Sequence, residues 1–410
     1  MAGWLCYDKT IRENKKEESV SMKKSDLTFR YGLIHGSYWM AFAAVSGYVS
    51  LYLLELGFSS TVIGGLIALS GLLSAVAQPL VAGYADRPDS ISLKAVNVIV
   101  ALLALLCSGV LLAVRGSRVL TLVFYGLDIA LLQLSTPLVS ALGINSLNCG
   151  TRLNYGVSKA VSSVTYAAAS FAMGRLTERL GGWVVPVAMC LFYTLFLGSL
   201  LLYPREKAPA AEGGRGAGFF GFFRKYPRFT LVLLGCVLLF VSHVLLNNFT
   251  LQIIRTKGGG SREMGVAMAL AALSELPTML GFTWLMKKAP SHVWLRLTGI
   301  FFTLKILGSL LCGTVGAFYA LQFLQLLAWA LIALSAVYYI NAVMAPEDAI
   351  KGQAYYTMAY TVGSVVGAVI GGRIIDMLGV NAMLVFGTAC AALGTVVIVV
   401  FAQRTEDRLV

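Results

Sequence analysis

The chain has 410 residues, of which 58% are hydrophobic and 12% charged, and its mean hydropathy is +0.79. Soluble globular chains carry about 25% charged residues, so this surface does not suit water and soluble folds are excluded. The apolar runs are continuous rather than alternating, which excludes a β-barrel; at about 20 residues per crossing they supply roughly ten to twelve helical spans.

In chain order, residues 1–27 form a polar, lysine-rich tail without the apolar core of a cleavable signal peptide. Hydrophobic stretches follow near 28–55, 59–84, 91–114, 119–146, 157–177 and 183–203, then 228–256, 263–286, 292–313, 317–345, 352–375 and 380–403. Between the two sets, 204–227 carries Glu212-Gly213-Gly214-Arg215-Gly216 and reads as a flexible cytoplasmic linker, and 404–410 is a short tail. The expected fold is an all-α polytopic membrane protein: twelve transmembrane helices in two six-helix bundles, 28–203 and 228–403.

Charge placement sets the expected orientation. With the N-terminus cytoplasmic, 22 of the 32 Lys and Arg fall on the cytoplasmic side and 8 on the other, so both termini are expected in the cytoplasm of a multi-pass cell-membrane protein. The same residues face anionic lipid and account for the net charge of +13 without nucleic acid. Seven Cys, with no CxxC pair, read as small buried hydrophobes.

The halves repeat at an offset of 198 residues. Pro79 falls on Pro277, Gly83 on Gly281, Arg175 on Arg373, Glu178 on Asp376 and Gly181 on Gly379. Parallel repeats of this kind build transporters whose site lies between the halves near the bilayer midplane.

After the second stretch comes Gly83-Tyr84-Ala85… with Asp86-Arg87, a G-x-x-D-R run preceded by Gln78-Pro79. In the loop between spans two and three of a twelve-span chain, this resembles the signature of the major facilitator superfamily. The second-half copy has Trp284 where Asp86 would fall. The resemblance implies that Gly83, Asp86 and Arg87 act in the conformational switch, with Asp86 facing the helix expected to start near Lys351. Within the superfamily the chain is similar to the lactose-permease group of sugar/proton symporters. Asn154-Tyr155-Gly156 with Lys159 looks like that group's motif at the start of span five, and Glu275 falls on its span-eight carboxylate. Lys305-Ile306-Leu307-Gly308-Ser309 looks like its span-nine motif; both lysines replace Arg. The group's span-ten His and Glu fall on Gln325 and Ala328, and a span-four carboxylate falls near Ser140, so the scaffold carries over better than the coupling chemistry.

Ionisable groups at bilayer depth are costly and mark function. Asp128 lies roughly 14 Å into span four at 1.5 Å per residue. Glu275 and Lys305 are deep in spans eight and nine and are expected to pair. A carboxylate that meets an ammonium in one state and not in another loads and releases a proton, so Glu275, Asp128 and Lys305 are the expected coupling groups. For the solute, the candidates are Lys159 and the aromatic-polar face of His35, Tyr38 and Trp39, together with His243, Asn247, Gln322, Gln325 and Tyr355. Gly363, Gly367 and Gly371 form a small-residue stripe for close helix packing.

No P-loop, nucleophile elbow or metal-ligand spacing occurs, so neither enzyme, cofactor nor metal is expected. The expected partners are a small solute, protons and lipid, with the chain acting as a monomer. The expected function is proton-coupled import of a sugar or nucleoside-like compound by alternating access. The alternatives are a drug/proton exporter, although span five lacks the exporters' Gly-Pro-x-x-Gly-Gly pattern, and an uncoupled uniporter.

Overall fold

The structure, a computed structural model, describes residues 27–85, 91–114, 116–148, 153–204 and 219–407. Every regular element in them is helical. The first half contains α1 (Leu27–Gly47), α2 (Val49–Glu55), α3 (Ser60–Ala85), α4 (Leu93–Ala113), α5 (Arg118–Asn148), α6 (Tyr155–Leu180) and α7 (Val184–Leu202). A short α8 (Phe219–Lys225) leads to the second half. There α9 (Pro227–Asn248), α10 (Thr250–Arg255), α11 (Ser261–Ser274), α12 (Leu276–Lys288) and α13 (Ser291–Leu311) are followed by α14 (Val315–Gln322), α15 (Trp329–Val343), α16 (Pro346–Leu378) and α17 (Val380–Phe401).

Among the described residues, ten helices are long and apolar enough to cross a membrane, or eleven when the bent pair α1–α2 counts as one span. The chain is therefore a multi-pass membrane protein. Helix α6 has the length, at 26 residues, but carries Lys159, Arg175, Glu178 and Arg179 and is the least apolar of the long helices.

Local chemistry sets the helix ends. The Ser92 hydroxyl accepts from Ala95 N and caps α4, and the Asn154 amide oxygen accepts from Val157 N and caps α6. Pro227 and Pro346 occupy first turns, where a missing N–H costs nothing. Gly181 and Gly379, repeat mates in the sequence, both close their helices at φ +86°, a left-handed conformation open to glycine.

Four of the expected continuous stretches are interrupted. The first ends α1 in a π-helical segment, Ala43–Gly47, and bends by 40° into α2. Its Val45 carbonyl accepts from the Tyr125 hydroxyl. The seventh breaks at Phe249 and the eighth at Glu275, where Pro277 cannot donate to the preceding turn. The tenth passes through a 3₁₀ turn, Phe323–Leu326. Carbonyls freed at this last break are taken up by hydroxyls of neighbouring helices: Ser274 donates to Gln322 O, Thr278 to Leu326 O and Thr298 to Ala328 O.

Helices of the first half pack chiefly as α4 on α5 and α7, and α3 on α5; in the second half α9 packs on α16 and α17, and α13 on α15 and α17. The glycine stripe behaves as expected. Cβ atoms at Gly363 and Gly367 would meet the α9 backbone at Val237 and Val241, so bare glycines let the two helices touch.

Two seams join the halves, α3 on α16 and α6 on α11. Both are closest at the face holding the start of α3 and the end of α6, called here the far face; the opposite one, where α1 begins, is the tail face. At the far face Gly372 abuts Ser60 O, Gly64 abuts Ala368 O, and Gly174 abuts Ser261 O and Gly265. Asp376 clasps the first seam, its carboxylate accepting from Ser60 N (3.0 Å) and Thr61 N (2.7 Å) at the start of α3. Ser50 donates to Asn248 O nearby.

The linker differs from expectation at its end. Residues 205–218 lie outside the described residues, but Phe219–Lys225 is helical, because Phe222 is fully buried against Tyr226, Phe229 and Tyr355. Lys225 and Tyr226 both donate to the buried Asp348 carboxylate in the first turn of α16, at 2.7 and 3.0 Å. The hydrogen bond and the charge of Asp348 hold the Lys225 ammonium above its usual range.

Candidate functional site

A cavity of about 420 Å³ lies between the halves and is lined by both. From the first half it takes side chains of α1, α5 and α6, and from the second half side chains of α9, the broken eighth and tenth stretches, α13 and α16. It extends toward the tail face as far as Lys159, which is exposed about one turn into α6.

Its most polar wall is built on the helix breaks. Glu275 sits between α11 and α12, and Gln325 sits in the 3₁₀ turn. The Lys305 ammonium, 3% exposed, donates to Gln325 Oε1 at 2.5 Å, and Gln325 Nε2 donates to Glu275 Oε1 at 3.0 Å. The expected Glu275–Lys305 contact is thus made through an amide. The reason is geometric: Gln325 occupies the space between them, and its two-ended side chain satisfies both charges.

Beside this chain His243 stacks on Trp329, with centroids 4.1 Å apart and planes 3° apart, and Asn247 Nδ2 lies 2.7 Å from His243 Nε2. Gln322 lines the same wall, its amide donating to Phe318 O. On the other wall His35 Nε2 lies 3.0 Å from the Tyr31 hydroxyl. The Tyr38 hydroxyl, 1% exposed, is engaged by Thr136 Oγ1 (2.5 Å) and Leu132 O (3.0 Å), so Tyr38 offers the cavity a ring edge rather than its hydroxyl. Trp39, Phe42 and Tyr166 form an aromatic group at the cavity surface.

Two expected residues lie elsewhere. Asp128 is fully buried inside the first half, accepting from Ser108 Oγ at 2.5 Å and Tyr193 Oη at 2.6 Å, and does not line the cavity. Its depth matches the expectation; its direction does not, because α4 and α7 present hydroxyls to the back of α5. Tyr355 packs on Phe222 and Phe223 at the tail face, outside the cavity. Gly83 lies exposed on α3 with open space around it, while Asp86 and Arg87 lie outside the described residues. The helix that Asp86 was expected to face starts at Pro346 rather than near Lys351.

Other cavity residues carried no sequence signal of their own. Trp329 and Tyr166 are aromatics in apolar runs, and Gln133 and Thr136 stand a turn apart on α5. Among the described residues no group of His, Cys, Asp or Glu could hold a metal ion.

Comparison with known proteins agrees with this architecture. The MFS_1 like family model matches residues 31–386. A maltose permease of Geobacillus stearothermophilus is 26% identical over 372 residues, covering 89% of this chain and 92% of that protein. The crystal structure of the nucleoside transporter NupG superposes with a TM-score of 0.76 at 13% identity, over 92% of this chain and 98% of that one. A POT family transporter in complex with 5-aminolevulinic acid gives 0.71 at 10% identity, over 92% and 96%.

Proposed function

The chain belongs to the MFS_1 like family, and from that premise we propose that it imports a small polar solute, sugar-like or nucleoside-like, together with a proton. That it is a secondary transporter working by alternating access, and not an enzyme, follows from family and fold. The solute, the proton and the direction make up the proposal. The maltose permease and NupG are named for a sugar and for nucleosides, and both ligands combine polar groups with a ring face that Trp329, Trp39 and Tyr166 suit.

The observation that carries the proton is the Glu275–Gln325–Lys305 chain in the wall of a cavity shared by both halves. A carboxylate so held, joined to a buried ammonium through one amide, changes its surroundings whenever the halves rock. In this scheme twelve spans form bundles 28–203 and 228–403, joined by 204–227, with tails 1–27 and 404–410 in the cytoplasm. The tail face is then cytoplasmic, and the Asp376 clasp closes the outside. Gly83, Asp86 and Arg87 serve as the inner-face counterpart of that clasp. Lys159, His35, Trp39, His243, Asn247, Gln322 and Gln325 contact the solute, and the chain works as a monomer in lipid.

A uniporter is the second reading, favoured by the neutral Gln325 at the centre of the chain. Uptake of radiolabelled maltose, glucose and uridine by cells expressing the protein, with and without a proton uncoupler, tests both. Accumulation that collapses with uncoupler supports symport. Equilibration indifferent to uncoupler supports the uniporter, and efflux of toxic compounds without uptake supports an exporter.

A further inference from the structure

The ionisable side chains lining the cavity are two lysines, one glutamate and two histidines among the described residues. Lys159 is exposed near the tail-face mouth, about one turn into α6. Lys305 is 3% exposed, and no carboxylate lies within 4.0 Å of it among the described residues; it meets the neutral oxygen of Gln325. Deep in the cavity Lys305 and Glu275 are the charged pair among the described residues. His243, from α9, and Tyr166, from α6, also face it.

This pair sets a charge condition. Carrying an uncompensated charge through a low-dielectric state is costly, so a balanced compartment favours the states that rock. Empty, with Glu275 ionised, it is balanced. Once Glu275 takes a proton, Lys305 loses its counter-charge. A neutral solute leaves it so; a solute bearing one negative charge restores the balance.

Resting on the symport reading above, we infer that the transported solute is a monoanion, a polyhydroxylated monocarboxylate whose carboxylate replaces Glu275 as the counter-charge of Lys305. Gln325 is the part exchanged: its Oε1 leaves the ammonium as the carboxylate arrives. The hydroxyl groups of the solute meet the neutral polar lining, Gln133, Thr136, Asn247 and Gln322. Lys159 at the mouth draws anions inward. One proton and one anion move together, so the cycle transfers no net charge.

The test uses full-length protein in proteoliposomes with radiolabelled glucuronate and gluconate against glucose and uridine. The drive is either an inward proton gradient or a potassium–valinomycin potential. The expected result is accumulation of the acids about tenfold per pH unit, indifferent to the potential, with glucose and uridine at least tenfold poorer. Lys305→Gln is expected to lose acid uptake at least tenfold. A thermal midpoint of Lys305→Gln in detergent within a few degrees of native shows that the loss of uptake is not a loss of folding. Accumulation of glucose or uridine that responds to the potential, without transport of either acid, overturns the inference and leaves symport standing. If the proton gradient drives nothing, symport fails, and counterflow decides the solute alone: exchange selective for the acids upholds the inference, and exchange of neutral probes or of none overturns it.

Discussion

Replacing Glu275 by Gln removes a titratable group while keeping side-chain length and an acceptor for Gln325 Nε2, so the bridge to Lys305 at 2.5 and 3.0 Å survives. Glu275 is the only carboxylate among the described residues lining the cavity, so on the symport reading proposed above one proton per cycle is expected. One proton moving down a pH unit releases about 1.36 kcal/mol and supports about tenfold accumulation. A gradient of about 1.5 units therefore gives about 30-fold in the native protein and none in Glu275→Gln. Counterflow, in which labelled solute exchanges across the membrane without net proton movement, is expected to stay within about threefold of native. Proteoliposomes loaded and diluted across the two pH values give both numbers. Undiminished uphill uptake in the variant would show that the proton travels elsewhere and would remove Glu275 from coupling.

Further expectations follow from the same geometry. Asp128→Asn is expected to retain uphill uptake, because the residue faces away from the cavity; loss of coupling would restore it to the mechanism. Asp128→Ala leaves the Ser108 and Tyr193 hydroxyls without their acceptor, at about 1–3 kcal/mol each, and lowers the thermal midpoint in detergent. Asp376→Ala removes the cap on α3, worth about 0.5–2 kcal/mol. That is about a two- to 30-fold shift toward states open at the far face, read as a longer distance between spin labels at Val62 and Met377. Trp329→Ala deletes the stack on His243, worth about 0.5–1.5 kcal/mol, and is expected to raise KM about two- to twelvefold with little change in maximal rate.

Much of the scaffold was written locally. Ser92, Asn154, Pro227, Pro346, Gly181 and Gly379 mark helix ends by chemistry that acts within one turn, and the two glycines that end their helices alike are residues the 198-residue repeat places on each other. The helix breaks were less legible, because hydropathy continues through Tyr48, Phe249 and Gln325; only Pro277 betrays its break. The site was read in depth but not in direction. An apolar run tells how far Asp128 lies from a membrane surface, whereas the side it faces depends on hydroxyls 20 and 65 residues away. Tyr355 failed for a similar reason: its partners, Phe222 and Phe223, belong to a segment whose glycines masked a short helix. Lys305 and Glu275 were found because charge in an apolar run is conspicuous; Trp329, equally near the cavity, is not.

The clasp at the far face belongs to one seam only. Glu178, the repeat mate of Asp376, is exposed and makes no hydrogen bond among the described residues, so the α6–α11 edge is held by packing alone. A molecule built from two like halves is thus expected to open unevenly, as a book does along its unstitched edge. On the alternating-access cycle proposed above, the contact of Gly174 with Gly265 is the edge expected to part first, with the Asp376 side as the spine.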